Sequence, residues 1–438
     1  MAPVATRKSA VETETMRRIS FRIMPFLMVS YFIAFVDRVN VGFAGLQMKQ
    51  DIGLTDAMFG LGGGIFFISY FIFEVPSNLA MEKVGARRWI ARIMISWGLV
   101  SAAMALAAGP TSFLSLRFLL GAAEAGFFPG VILYLTYWYP AEYRARIVAI
   151  FMVAIPVSSF LGSPISAALL QTDGWLGLRG WQWLFILEAA PAILLGVASL
   201  FVLPDRPAHA RWLAPEQRDW LLARLEAERS RARAVPHVSL WQVLVNKYVL
   251  VAALVYAGSS GASACLSIWQ PQIIQTFGLG YVQTGFLNAI PFGIASVMMI
   301  LWGRHSDRTG ERIWHSALPL ALTAAGLILT FFAGTLWLTV LVLCVAVTGT
   351  YALKGPFWAL STGWLSASTA AAGIAQINAI GNLGGALGTW LLGVIKDATG
   401  SYAMGLLPLV ALTAAGCVAV LLIGRERPRT VAAPGAAE

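Results

Sequence analysis

Apolar residues along this chain come in runs of about 20 to 25, separated by short clusters of charge, glycine and proline. That is the length an α-helix needs to cross roughly 30 Å of hydrocarbon. Reading run by run predicts twelve helices, at 22–45, 58–80, 89–108, 112–137, 147–170, 182–203, 247–276, 282–302, 314–334, 336–361, 371–396 and 402–423. No small-residue cleavage pattern follows the first run, so it is expected to remain as a span. The longest polar interval, 204–246, falls between the sixth and seventh runs. Within it, "WLAPEQRDWLLARLEAERSRAR" sets Trp220, Leu221, Leu222 and Leu225 against charged neighbours, with Pro215 at the start. That pattern predicts an amphipathic helix lying along the membrane face, with a solvated linker helix as the other reading. The tails, 1–20 and 425–438, read as disordered over the first fifteen or so residues and over the whole of the second.

Composition agrees with the pattern. The chain has 438 residues, 58% hydrophobic and 12% charged, with a mean hydropathy of +0.72. A soluble domain carries about 25% charged residues, so this chain has too little polar surface to live in water. It reads as an all-α integral membrane protein. Cys265, Cys344 and Cys417 sit in apolar segments without CxxC spacing, which makes them small buried hydrophobes and not a metal or disulfide set.

A net charge of +10 would suit nucleic acid until the bases are placed. Of 31 Lys and Arg residues, 25 fall at one set of helix ends, in both tails and in the central loop. The opposite ends hold three, Lys49, Arg179 and Lys396, and three more, Arg38, Arg117 and Lys354, lie inside spans. The positive-inside rule then puts both termini and the central loop in the cytoplasm of a cell inner membrane. The excess of bases is topological, and no nucleic-acid partner is expected.

Ionisable residues at bilayer depth are costly, and they face a bundle interior or a water-filled cavity. Here they are Asp37 and Arg38 in span one, Glu74 in span two, Arg117 and Glu124 in span four, Glu188 in span six and Lys354 in span ten. Asp37 and Arg38 are adjacent and point about 100° apart, so one of them faces the cavity squarely. Arg117 and Glu124 are seven apart and share a helical stripe. Lys354 precedes Gly355 and Pro356, which loosen the helix where it lines a cavity. Bases from both halves suit an anion: Arg38 as a bidentate grip on one carboxylate, Lys354 as a point charge for a second. Tyr70 is a candidate cavity wall. Glu74 reads as a structural partner for a base near the cytoplasmic end, and Glu188 as bonding to a neighbouring helix. Trp138, Trp181, Trp183 and Trp241 read as interfacial belts.

Two loops repeat. "NLAMEKVGARR" after span two carries Glu82, Lys83, Gly85 and Arg87, and "GRHSDRTGERI" after span eight carries Gly303, Asp307, Arg308, Gly310 and Arg312. Glu82 and Asp307 are 225 residues apart, about half the chain. Two six-helix halves follow, 21–203 and 247–424, related as parallel repeats. An acid, several bases and a glycine that turns the backbone make a charge latch able to hold the cytoplasmic side shut in one state and release it in another.

The Gly303-x-x-x-Asp307-Arg308-x-Gly310-x-Arg312 loop resembles the signature of the major facilitator superfamily. "FVDRVNVGFA", "SYFIFEVPSNL", "RFLLGAAEAGFFPG" and "YLTYWYPAEYRAR" resemble its anion:cation symporters, which take tartrate, phthalate, hydroxyphenylacetate and sugar acids. With "ALKGPFWAL", the wording is most similar to the bacterial tartrate transporters. Asn78 departs from the pattern where a glycine usually leads the first loop. The resemblance implies that Arg38 contacts a substrate carboxylate, that Asp37 and Glu124 carry the coupled proton, and that Arg117 is their electrostatic partner. It also implies hydroxyl-binding roles for Gln376, Asn378 and Asn382. Ile155 stands where some relatives have glutamine, which speaks against a long sugar acid. No cofactor is implied beyond a coupling ion, H+, and the superfamily usually works as monomers.

Burial disfavours a charged carboxyl, and a nearby arginine restores it. An anion competing for that arginine lets the acid take a proton, which couples the two. The expectation is proton-coupled uptake of a small organic anion, a tartrate-like hydroxy-dicarboxylate first and an aromatic carboxylate second. An exchanger or exporter of the same fold is the alternative, with a partial span-five motif, Gly162 and Pro164, in its favour. A membrane enzyme is not expected: His209, His237, His305 and His315 lie in loops or at span ends, and no catalytic or nucleotide-binding motif is present.

Overall fold

The computed structural model describes residues 9–233, 245–365 and 370–423. Both expected tails at 1–8 and 424–438, part of the central loop at 234–244, and Trp241 lie outside the described residues. The first half contains α1 (Ala10–Asp51), α2 (Asp56–Val84) and α3 (Ala86–Ala103), then α4 (Pro110–Glu124) and α5 (Phe127–Trp138) as one broken span. A second broken span, α6 (Ala141–Met152) with α7 (Ala154–Leu169), and α8 (Gly180–Val202) complete it, and α9 (Pro215–Arg233) follows. The second half contains α10 (Lys247–Gln275), α11 (Tyr281–Thr309), α12 (Ile313–Leu329), the pair α13 (Leu336–Ala352) and α14 (Lys354–Trp364), α15 (Ala370–Thr399) and α16 (Tyr402–Ile423). With broken pairs counted once, eleven of these are long and apolar enough to span. The 30-residue α15 stands beside them as the twelfth.

The two central breaks have local causes. Gly126 adopts a left-handed φ of 85° between α4 and α5, and a methyl group there would sit 2.3 Å from Ser77 Oγ. Between α13 and α14 the chain passes through Leu353 and then Gly355-Pro356, where proline supplies no N–H. Gly126 and Leu353 are 227 residues apart, which matches the offset of the repeated loops.

Three expectations need correction. The first concerns the N-terminal segment, which is helical from Ala10. Ser9 Oγ caps it by accepting the Glu12 N–H at 3.1 Å, and Tyr143 donates to Glu12 Oε1 at 2.6 Å. The second concerns α9, which is not a freely solvated linker: its Leu221 and Leu225 are buried in the hydrophobic core, and Glu228 accepts from Arg144 Nη2 at 3.0 Å and from the Ala141 N–H at 3.0 Å. The third concerns tryptophans. Trp138 and Trp181 are buried; one stacks on Trp212, the other donates to Asp51 at 2.7 Å. Trp183 is half-buried and donates to the Trp175 carbonyl.

The halves meet along a seam at the ends away from α9 and the repeated loops. α2 packs on α15, α7 on α11, and α1 on α10. Glycine makes this approach possible: a methyl on Gly60 would lie 2.6 Å from the Thr389 carbonyl oxygen, and one on Gly64 would lie 2.7 Å from that of Ala386. Gln272 Nε2 donates to the Gly42 carbonyl at 2.8 Å. Asp397 accepts the N–H groups of Asp56 and Ala57 at 3.0 and 2.7 Å, which satisfies two free donors at the start of α2 from the other half.

The repeated loops make their ion pairs within their own halves. Arg87 pairs with Asp205 at 3.6 Å and its N–H donates to the same carboxylate. Arg312 pairs with Asp307 at 2.8 Å. Gly85 (φ 96°) and Gly310 (φ 67°) turn the chain where a side chain would be strained. Glu82, Lys83 and Arg308 are exposed, and Gly303 has open space around it. The molecule is therefore closed at the seam and open toward the basic face.

Candidate functional site

Between the halves, at mid-depth, lies a cavity with a water-accessible volume of about 90 Å³. One water needs roughly 10–15 Å³ on that measure, so the space suits a solute of several heavy atoms. Arg38 and Tyr70 enter it from the first half, and Lys354, Asn378 and Asn382 from the second. Ile155 is also on the wall. Gln376 is not: two residues before Asn378 on α15, it points to another side of the helix.

Arg38 is held by its surroundings. Nη2 forms an ion pair with Glu124 Oε1, and the guanidinium lies over the rings of Phe35 (4.8 Å), Phe66 (5.2 Å) and Tyr70 (5.3 Å). Glu124 is 1% exposed and ends α4 just before the Gly126 break, which turns the chain beneath it. Lys354 is 8% exposed, with Nζ 4.7 Å from the Tyr351 ring centroid. Among the described residues no carboxylate pairs with it. Arg38 faces the same cavity and repels it. The cavity therefore carries surplus positive charge, one base from each half.

Asp37 turns the other way, into α3. Trp97 Nε1 donates to Oδ2 at 2.7 Å, and Ser101 Oγ approaches Oδ1 at 3.5 Å. The division of Asp37 and Arg38 between two directions follows the expected helical angle. Arg117 acts on Glu124 through its charge, while the hydrogen-bonded ion pair falls to Arg38. Arg117 Nε donates to the Gly62 carbonyl at 2.9 Å, its guanidinium faces Phe66, and neither Nη has a partner among the described residues.

Glu74 differs from expectation. It accepts from Asn378 Nδ2 at 3.2 Å, and so bridges the two halves beside the cavity instead of pairing with a latch base. That contact occupies one of the groups expected for solute hydroxyls. Glu188 does bond to a neighbouring helix, accepting from Ser166 Oγ at 2.6 Å. Sequence reasoning missed a polar stripe on α10, Ser260, Ser263 and Ser267, all on the cavity wall. Its spacing of three and four in "SSGASACLS" was the available signal. Trp97, the partner of Asp37, carries no signal in the sequence at all, since only packing brings α3 to it.

The comparisons follow the same lines. Residues 27–389 match the family model of the Major Facilitator Superfamily. A protein of Agrobacterium vitis described as "Putative tartrate transporter" is 51% identical over 96% of this chain and 94% of its own length. The quinolone resistance transporter of Acinetobacter baumannii is 39% identical over 96% and 98%. The inner membrane transport protein RhmT of Escherichia coli is 37% identical over 93% and 94%. Among solved structures, a D-xylose-proton symporter superposes with a TM-score of 0.72 at 15% identity, over 93% of this chain and 97% of that one. A bacterial homologue of the lysosomal transporter Spinster, inward-facing and unoccupied, gives 0.68 at 18%, over 95% and 96%.

Proposed function

The chain belongs to the Major Facilitator Superfamily, and on that premise we propose that it imports a small organic anion together with protons, a tartrate-like hydroxy-dicarboxylate being the favoured solute. The observation that carries this reading is the pair of cavity bases on opposite halves, of which Lys354 is buried without an acidic partner among the described residues. An uncompensated buried cation is expensive, and a dicarboxylate would supply the missing charge while Arg38 takes its other end. Tartrate enters through the description of the Agrobacterium relatives. The small cavity and its serine stripe fit a short hydroxylated acid better than an aromatic one.

The proposed cycle needs no covalent step. With the basic face cytoplasmic, as the positive-inside rule reads it, the open cavity faces the cell interior. Arg38 paired with Glu124 corresponds to the step after release: Glu124 has lost its proton to the cytoplasm, claims the guanidinium and displaces the carboxylate. On the other side, an arriving anion takes Arg38, and Glu124 accepts a proton. Asp37, one residue away in α1 and buried, is the second proton carrier. The working unit is the monomer, since the cavity is complete within one chain.

The test is uptake into proteoliposomes. Asp37→Asn and Glu124→Gln each abolish proton-driven accumulation while leaving counterflow exchange of the anion. Accumulation surviving in both single variants sinks the coupling scheme. Equal binding of tartrate and phthalate would sink the solute choice alone. Export is the second reading, favoured by the relationship to the quinolone resistance transporter, and a cationic or zwitterionic drug as the tightest ligand would establish it.

A further inference from the structure

Outside the central cavity, one face of α11 combines three features. Phe286, Ile290, Ile294, Val297 and Leu301 are 61, 38, 43, 56 and 51% exposed. They recur at spacings of three and four, which draws a single apolar stripe down the helix toward the basic face. The stripe ends at Arg304 and Arg308, exposed and without ion pairs among the described residues. A shallow groove joins the two parts, lined by Met298, Leu301, Trp302, Arg304, His305 and Arg308.

Behind the groove stands a hydrogen-bonded chain. His305 Nδ1 and His315 Nε2 are 2.7 Å apart, and His315 Nδ1 lies 2.6 Å from Glu311 Oε2. Glu311 sits in the loop between α11 and α12. Burial alone would push its carboxyl up, but the bond from His315 and the N–H groups of Trp314 and His315 outweigh it and hold the group low. With Glu311 ionised, His315 donates through Nδ1 and accepts through Nε2. His305 then donates through Nδ1, and the chain holds its imidazole in place on the groove wall. The other charges here are Asp307 and Arg312, which pair with each other; Lys354, the one charge on α13 and α14, lines the central cavity.

We propose that this groove is a binding site for one anionic phospholipid, its phosphate held by Arg304 and Arg308 and an acyl chain lying along Leu301, Val297 and Ile294. Basic groups at the end of a lipid-facing apolar stripe match such a lipid in both charge and orientation, and Trp302 stands at the level where indoles settle. The inference requires only that the chain spans a membrane; it is independent of the solute and of proton coupling. Because Arg308 belongs to the repeated loop, an occupied site would touch the gating region.

Native mass spectrometry of the intact protein from nanodiscs of phosphatidylcholine, with and without phosphatidylglycerol, tests it. The wild type is expected to retain one phosphatidylglycerol in preference to phosphatidylcholine. Arg304→Gln with Arg308→Gln weakens that retention roughly 25-fold, about fivefold per base. Inorganic phosphate alone gives no thermal stabilisation, since it lacks the chain that uses the stripe. Absence of any preference in the wild type, or a preference unchanged in the double variant, overturns the site and leaves ordinary surrounding lipid. If the double variant does not purify as a monodisperse species, the wild-type preference and the single variants Arg304→Gln and Arg308→Gln, each weakening retention about fivefold, decide.

Discussion

At the scale of single residues, the cavity is defined by which charges have partners. Arg38 has Glu124, whereas Lys354 has an aromatic face, a like charge nearby and no acid among the described residues. Hydrogen bonds to charged groups contribute about 1.5–3 kcal/mol, so Lys354→Gln is expected to weaken anion binding roughly 10- to 150-fold, read by titration of the purified protein. A loss under about threefold removes Lys354 from the site. Arg38→Lys keeps the charge but loses the planar fork, and is expected to bind more weakly than wild type and more tightly than Arg38→Gln. A third expectation concerns pH. Glu311 is depressed by its bonds to His315 and two N–H groups, so its contribution to stability is full above the ordinary carboxylate range. It is lost only as pH falls through the lower folded value. Glu311→Gln should accordingly flatten the melting temperature of the protein below about pH 4 relative to wild type; unchanged acid sensitivity would contradict the depressed carboxyl. The bases of the site were legible in the sequence because charge inside an apolar run has few explanations. Their pairing was not. Arg117 and Glu124 share a stripe of α4, yet Arg38 from another helix arrives closer, and no spacing within one segment reports that.

At the scale of elements, breaks matter more than spans. Twelve apolar runs gave the helices to within several residues, since lipid allows the backbone few alternatives. What the runs concealed was continuation beyond the membrane. α1 starts at Ala10 because Met16, Ile19 and Ile23 find buried neighbours, and α9 docks on the protein through Leu221 and Leu225. Amphipathic patterning identifies an apolar face but not what covers it. The Gly126 break was not visible, since a glycine inside an apolar run leaves the run's length and pattern unchanged. Here substitution gives a sharp expectation. Gly126→Ala places a methyl group against Ser77 Oγ in a left-handed conformation that costs other residues about 1–2 kcal/mol. The variant should melt lower and bind the anion more weakly, because Glu124 is one turn-residue away from the strained position. Gly130→Ala is the matched control: φ is ordinary there and the nearest atom is the flexible Met81 sulfur, at 3.1 Å. Equal behaviour of the two variants would mean that the break does not position Glu124.

At the scale of the whole molecule, the two halves are held together at one end and by little at the other. The seam is built from backbone approaching backbone: Gly60 on Thr389, Gly64 on Ala386, Gly42 on Ile268. Side chains add hydrogen bonds across it, Gln272 to the Gly42 carbonyl, the first N–H groups of α2 to Asp397 and Asn288 Nδ2 to Ser163 Oγ, and these must break when the seam parts. Glu74 and Asn378 make another such bond beside the cavity. Alternating access in this family of folds is a rocking of one half against the other around a fixed site, so opening the seam must accompany closing of the basic face. A cross-link across the seam should separate binding from transport. In a background lacking Cys265, Cys344 and Cys417, Ser163→Cys with Asn288→Cys replaces two side chains that already meet across the seam, Asn288 Nδ2 donating to Ser163 Oγ at 2.8 Å, so the two sulfurs can pair without entering a glycine contact. Oxidation should stop uptake completely, leave anion binding from the basic face intact, and be reversed by reductant. Full uptake by the oxidised protein would show that solute does not cross by parting this seam, whatever the anion and whatever drives it.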